Sequence, residues 1–235
     1  SPPGVSLVTA EGLARIEVEG ADALGREATA GFTLGTSDIS DAFHRFRIDR
    51  DLSAFFCMRA VQAQEVGLTG FELNGVPVQA DHLLVPACAA LPMGFTWSLF
   101  FCQEVGEHVM QETPALSQVH RMSDRGPATV LRPAAPLAGG GAQYTYVDNL
   151  GVLGFAEAEV AAGLGAATKR FDAAGLLTHE TDLQRGRGET LGCVLDGTAL
   201  ATRLTPKRYW RVRRGLEWAL GCRALPGWAW EIVLG

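Results

Sequence analysis

Two aspartates, far apart in the chain, stand where short extended segments end. Asp38 opens Asp38-Ile39-Ser40-Asp41-Ala42-Phe43, just after an apolar run at Phe32-Thr33-Leu34. Asp148 follows Gln143-Tyr144-Thr145-Tyr146-Val147 and precedes Asn149 and the apolar residues 150–155, so it reads as an acid on a hairpin turn. Between them lies Leu91-Pro92-Met93-Gly94-Phe95, a tight turn that opens a helix. Two carboxylates on adjacent strand ends are what a pair of Mg²⁺ ions needs for phosphoryl transfer. Magnesium takes few carboxylates, keeps waters and accepts phosphate oxygens from its substrate. Ions about 3.5–4 Å apart stabilise both the attacking and the leaving oxygen, and the protein otherwise supplies position and charge. Taken singly, each residue has a plainer reading: Asp38 as a helix N-cap, Asp41 as a first-turn or surface acid, Phe43 as core, residues 91–94 as an ordinary turn.

The elements that must position these residues are read from pattern. Helix-type and strand-type periods alternate, which gives an α/β or α+β class. Residues 5–19 mix short apolar runs with charges and define no element. Residues 53–61 (SAFFCMRAV) are apolar and aromatic enough for a strand. Asn74-Gly75, between Phe71-Glu72-Leu73 and Val76-Pro77-Val78, predicts a hairpin through a type I′ turn. Trp97, Phe101, Val105 and Val109 recur every four residues and predict the apolar stripe of a helix. Residues 123–141 are rich in Pro, Gly and Ala and read as a flexible connection. A helix follows with Val160, Leu164, Ala167 and Phe171 on one face and Gly175 as its C′ residue. Residues 189–195 resemble a strand closed by an Asp196-Gly197 turn. Thr205-Pro206 gives the N-cap and first residue of a last helix, with Tyr209, Val212, Leu216 and Leu220 predicted inward.

In this order the segments resemble motifs A, B and C of retroelement reverse transcriptases. Motif A, D-x-x-x-A-F/Y, is matched by residues 38–43; motif B, L-P-x-G, by residues 91–94, with Phe95-Thr96-Trp97-Ser98 resembling its continuation. Motif C, Y-x-D-D, is matched by Tyr146, Val147 and Asp148, with Asn149 in place of the second acid. Downstream, Thr190-Leu191-Gly192-Cys193 resembles the primer-grip element. The likeness runs from about Asp38 to Gly192, and the specific signal is the order of motifs that are each short.

That resemblance implies an α+β, reverse transcriptase-like palm, an antiparallel sheet packed on helices, over residues 38–195. Partial fingers would occupy residues 1–37, and a connection with the start of a thumb residues 196–235. It implies an RNA-directed DNA polymerase with Asp38, Asp148 and Asn149 at the catalytic centre. Asp38, the Ile39 carbonyl and Asp148 would hold two Mg²⁺ ions, with Mn²⁺ as an alternative. Phe43, Met93, Gly94, Tyr146 and Val147 would meet the incoming deoxynucleotide, Phe43 excluding a 2′-hydroxyl. Leu191 and Gly192 would hold the primer end, and Lys207, Arg208 and Arg211 the template–primer duplex of RNA or DNA. RNase H and integrase domains would be further parts of a polyprotein. Residues 176–180 contain no Lys where the family carries one in motif D; His179 is the nearest titratable group. A second reading, from a different class, is a catalytically inactive palm retained as a nucleic-acid-binding or interaction module. A third is an unrelated α/β enzyme whose motifs match by accident.

Composition sets the outer bounds. The chain has 235 residues, 47% of them hydrophobic, enough to bury a core as one large domain or two small ones. No run of 18 apolar residues occurs, so a membrane span is not expected. The start, Ser1-Pro2-Pro3-Gly4, lacks both the initiator Met and the regions of a signal peptide, which suggests a fragment of a longer polyprotein. Five cysteines without C-x-x-C pairing argue against a zinc site or a disulfide framework and for a reduced protein in the cytoplasm or nucleus. The net charge of −6 does not advertise a nucleic-acid partner. Its distribution does: Arg203, Lys207, Arg208, Arg211, Arg213, Arg214 and Arg223 stand against Glu217 alone. A plain solvated helix face is the competing reading of that stretch.

Overall fold

Residues 33–39 form the second strand of a five-stranded, mostly antiparallel sheet in a computed structural model that describes residues 3–20, 31–222, 224 and 226–229. Arg223 of the basic stretch, and residues 21–30 of the segment read as partial fingers, lie outside these residues. The chain folds into two compact units, a smaller one built on Asp41–Cys102 and a larger one of Gly4–Ser40 and Gln103–Gly235. The larger unit carries β1 (Ile16–Val18), β2 (Thr33–Ile39), β3 (His120–Arg121), β4 (Thr129–Leu131) and β5 (Ala142–Tyr146). It continues with β6 (Asn149–Gly154), β7 (Thr178–Arg185), β8 (Arg187–Thr190), β9 (Cys193–Asp196) and β10 (Ala201–Leu204). The helices are α1 (Ala10–Ala14), α2 (Thr96–Gln111), which runs from one unit into the other, α3 (Glu157–Ala173) and α4 (Pro206–Gly221).

Five strands form the main sheet in the order β7-β2-β6-β5-β3. Asn149 pairs with Asp38, Gly151 with Thr36 and Leu153 with Leu34; on the other side Asn149 pairs with Tyr146 and Gly151 with Tyr144. Successive side chains point to opposite faces, so this register sorts the sheet. Gly35 lies under Val160 and Leu164 of α3, and Gly106 of α2 lies against Thr145, which puts both helices on one face. Leu34, Thr36, Asp38, Tyr144 and Gly151 share the other face. At one end that face is buried beneath β8 and β9, in a core of Leu34, Leu131, Tyr144, Leu153, Cys193 and Leu195.

Several sequence expectations hold here. α3 buries Val160, Leu164, Ala167 and Phe171. It ends in a Schellman motif, with Gly175 at φ 82, its N–H donating to Asp172 O and that of Leu176 to Phe171 O. Thr205 caps α4 by accepting from Arg208 N, with Pro206 behind it. In the smaller unit Glu72–Leu73 pairs with Val76–Pro77, and Asn74 and Gly75 both take the positive φ that a type I′ turn demands.

Others are corrected. Residues 53–61 are not a strand. Asp49 caps a helical turn at Arg50–Ser53 by accepting from Leu52 N, and a 3₁₀ turn follows at Ala54–Phe56. The run lacks the period-2 alternation of a half-buried strand, and local capping decides its backbone. The α2 helix is present, but its buried face is Ser98, Cys102, Gln103, Gly106, Val109 and Met110, one residue round from the predicted stripe, and Phe101 is exposed. Close approach through small and hydrogen-bonding residues sets that face, which a count of apolar positions misses. Residues 123–141 are built into the fold: β4 pairs in parallel with β1, and Leu131 and Leu137 are buried. Residues 189–195 are two strands, β8 and β9, turning at Leu191 (φ 48) and Gly192 (φ 74). Along α4 it is Ala219 that is buried, whereas Tyr209, Leu216 and Leu220 are exposed.

The N-terminal segment, ambiguous in sequence, is held by one side chain. Asp124 Oδ1 accepts from Thr9 N and Gly12 N, both at 2.8 Å, while Arg15 donates to Asp124 O and Gly126 O. Asp124→Ala strands two helix-start amides, and the expected cost is about 1–3 kcal/mol. Urea denaturation checks this; an unchanged midpoint would show that α1 is held by its apolar contacts alone.

Candidate functional site

Asp38 stands at the end of β2, half-buried, on the sheet face away from the helices. Its Oδ1 is buried and has no hydrogen-bond partner. Across the strands it faces Asn149 on one side and His179 on the other. Burial raises its pKa above the ordinary aspartate value, the charge of Asp148 raises it further, His179 lowers it and Glu180 raises it. Asp148 is thus close enough to be felt electrostatically, although the two acids lie 110 residues apart in sequence (148 − 38). The strands lock together at this point, Ile39 N donating to Asp148 O at 2.8 Å.

The turn that carries Asp148 is strained. Val147 has φ 57, a left-handed conformation that a β-branched residue rarely adopts. Gln103 of α2, 1% exposed, holds it there. Its Oε1 accepts from Val147 N at 2.8 Å, and its Nε2 donates to Thr145 O, Thr145 Oγ1 and Glu107 Oε1. Glu107 is fixed in turn by Arg121 at 2.7 Å. Every polar atom of that amide is used, and the turn cannot relax without leaving buried groups unsatisfied. The sequence reading missed Gln103. A lone polar residue within Phe100-Phe101-Cys102-Gln103 was the available signal, hidden by placing the stripe one residue off.

Asn149 is half-buried, and its Nδ2 donates to Asp148 Oδ1 at 2.9 Å. Tyr146 is half-buried and Val147 buried. Ile39 is 6% exposed. Phe43 (half-buried), Met93 (74% exposed) and Gly94 belong to the smaller unit. There Gly94, at φ 91, completes a tight turn in which Phe95 N donates to Pro92 O, just before α2. Leu191 and Gly192 form the tip of the β8–β9 turn, and Arg208 Nη1 donates to Leu191 O at 2.8 Å. Lys207, Arg208 and Arg211 are exposed on α4, near exposed Tyr209 and Trp210.

A cation fits beside Asp38. Its buried carboxylate oxygen has no donor, and the charge of Asp148 adds to the burial that raises its pKa. Among the described residues no group of three His, Cys, Asp or Glu side chains is placed to hold a metal ion. A metal bound by Asp38 and Asp148 would therefore complete its shell with water or substrate oxygens, as Mg²⁺ does.

No family model matches the chain, and no curated protein matches it. Among solved structures it is similar to the foamy viral protease–reverse transcriptase in complex with dsDNA, with a TM-score of 0.50 at 14% identity, covering 91% of this chain and 32% of that one. A foamy viral protease–reverse transcriptase in complex with RNA/DNA hybrid gives a TM-score of 0.48 at 15% identity, covering 90% of this chain and 21% of that one. This chain therefore spans about a third or less of those proteins. The first likeness defines the class: a mixed α+β fold of reverse transcriptase type. Among the described residues no helix is long and apolar enough to cross a membrane.

The charge arrangement has a measurable consequence. With a raised pKa, the folded chain holds the Asp38 proton more tightly than the unfolded chain does. That contribution to stability is present below the ordinary aspartate value and is lost as pH rises through the raised one. Asp38→Asn should therefore melt higher than the wild type at pH 7, by roughly 2–4 °C. The gap should close near pH 3. Thermal melts at the two pH values test it; a variant less stable than wild type at pH 7 contradicts the charge argument.

Proposed function

We propose that the chain is the palm of a retroelement RNA-directed DNA polymerase, transferring deoxynucleotides to a primer 3′-hydroxyl with release of pyrophosphate. The observation that carries this is Asp38, on one sheet face of a reverse transcriptase-like fold, with a buried and unpartnered oxygen and with Asp148, from a separate segment, near enough to raise its pKa. In this reading residues 1–37 are partial fingers, 38–195 the palm and 196–235 the start of a thumb. Further polyprotein domains, RNase H and integrase among them, would accompany it inside the cell.

Asp38 and Asp148, with the Ile39 carbonyl, would hold the metals, while Asn149 offers a neutral oxygen. Two Mg²⁺ ions, or Mn²⁺, would supply charge stabilisation for the transfer. Phe43, Met93 and Gly94 are the smaller unit's candidates for meeting the incoming nucleotide, Phe43 at its sugar, and Tyr146 and Val147 are the larger unit's. The Leu191–Gly192 tip steadies the primer end. Lys207, Arg208 and Arg211 contact template–primer phosphates, a contact that weakens with salt. Exposed Tyr209 and Trp210 beside these cations support a nucleic-acid partner.

One observation favours the second reading, an inactive palm kept as a nucleic-acid-binding module. The Asn149 amide already occupies an oxygen of Asp148, and one charge of the family's set is missing. Primer extension across a Mg²⁺ titration separates the two. Asn149→Asp should lower the Mg²⁺ concentration needed. Asp148→Asn should abolish extension, a loss of about 2–4 kcal/mol or more in transition-state stabilisation. Mg²⁺ should also raise the Tm of wild type and leave that of Asp38→Asn unmoved. If no variant extends a primer and Mg²⁺ changes no Tm, the inactive module is the correct reading.

Substrate choice gives a separate test. Phe43→Ala should admit ribonucleotides with little loss of deoxynucleotide use. An unchanged discrimination ratio removes Phe43 from the nucleotide site.

A further inference from the structure

Tyr144 is 1% exposed and lies on the same sheet face as Asp38. Its row, Tyr144–Gly151–Thr36, is one same-face step, about 6–7 Å, from the row Tyr146–Asn149–Asp38. The ring is laid across β6: a Cβ at Gly151 would come within 2.2–2.4 Å of its carbons and hydroxyl. Only glycine there leaves the ring room. So placed, the hydroxyl hydrogen-bonds Thr190 Oγ1, the last residue of β8 before the Leu191–Gly192 turn. Farther back along β8, Gly188 sits on the Leu34 side chain of β2, where a Cβ would meet Leu34 Cδ2 at 2.8 Å. On the far side of the tip, Arg208 of α4 donates to Leu191 O and lies against Gly192.

We propose that Tyr144 is a positioning residue: through Thr190 it sets the place of the Leu191–Gly192 tip relative to the sheet face that carries Asp38. The claim about catalysis rests on the polymerase reading of that face. A turn of two residues has little stiffness of its own, and β8 and β9 belong to a separate three-stranded sheet in which β9 pairs with β8 and β10. The tip therefore takes its position from anchors on two sides: Tyr144 on the sheet, and at the start of α4 Arg208 together with Thr205, whose N–H donates to Gly192 O at 3.0 Å. Burial, with a smaller contribution from the Asp38 charge, holds the Tyr144 phenol far above its ordinary pKa, so it is a hydroxyl at neutral pH. A reacting end displaced by about 1 Å costs on the order of a hundredfold in rate. One hydroxyl remote from the chemistry thereby reaches kcat.

Hydrogen exchange and primer extension on the same set of variants test this. Tyr144→Phe keeps the ring over Gly151 and removes only the bond; Thr190→Val removes it from the other side. Both should speed exchange at residues 190–193 roughly five- to tenfold, with residues 33–39 and 142–154 unchanged. The double variant should add nothing, and Thr190→Ser should restore protection. In extension, both single variants should lower kcat tenfold or more and leave KM for the deoxynucleotide unchanged. Wild-type exchange at the tip in Tyr144→Phe overturns the proposal, as does loosening spread evenly over the sheet. Loosening of the tip with unchanged kcat in an active chain overturns the positioning role. Absence of extension in the wild type defeats the polymerase reading, while the exchange data still decide whether Tyr144 anchors the tip.

Discussion

The antiparallel pairing of Thr33–Ile39 with Asn149–Gly154, in the register that sets Asn149 against Asp38, governs everything built on this sheet. Side chains alternate faces, so a slip of one residue would turn Asp38 under the helices and bring Ser37 to the open face. The register is held from both sides. Gly35 admits Val160 and Leu164 of α3 at close range, and Gly151 admits the Tyr144 ring on the opposite face. A larger residue at either position would push the sheet off one of its partners. The same choice that packs the core therefore aims the acids.

That arrangement concentrates unfavourable terms at one end of the sheet. A buried carboxylate oxygen has no donor, a second carboxylate raises its pKa, and a β-branched residue is held at positive φ just before that second acid. Such terms persist only where the surroundings over-determine the geometry. Here the surroundings are specific: the Gln103 amide with all its polar atoms bonded, Glu107 and Arg121 behind it, and the Ile39 N–H on Asp148 O. Local stability has been set against charge placement, the pattern expected where positive charge is to be received.

What was legible in the sequence was chemistry confined to a few neighbouring residues. Asn74-Gly75, Thr205-Pro206 and Gly175 each dictate a turn or cap almost independently of tertiary context, and each formed as read. The order of the three motifs pointed to the fold class and to the hairpin that carries Asp148. What failed depended on partners. The buried face of α2 is chosen by Gly106 meeting Thr145 and by Gln103 meeting the strained turn, neither of which counts as apolar. The apolar residues of 53–61 were scored without alternation, and Phe55 and Met58 ended exposed. The Tyr209, Leu216 and Leu220 face of α4 looked like a buried stripe, yet it is open. Periodicity reports that a face is apolar; it does not report whether anything covers it. Tyr144 and Thr190 had no signal at all, because their bond joins residues 46 apart through a cross-strand approach that Gly151 alone permits.

Asn149 is best understood through the same electrostatics. A third carboxylate at this position would face Asp38 across the strand pair and adjoin Asp148 along the chain, adding repulsion where Asp38 already carries a raised pKa. Asparagine removes that charge, and its amide donates to Asp148 Oδ1, satisfying an oxygen that would otherwise wait for a cation. The same contact ties the Asp148 carboxylate to its neighbour on the turn. Asp38 is not relieved in this way: its Oδ1 remains buried and unpartnered. An amide rather than a carboxylate at position 149 thus limits the repulsion at the hairpin and leaves the Asp38 oxygen as it was.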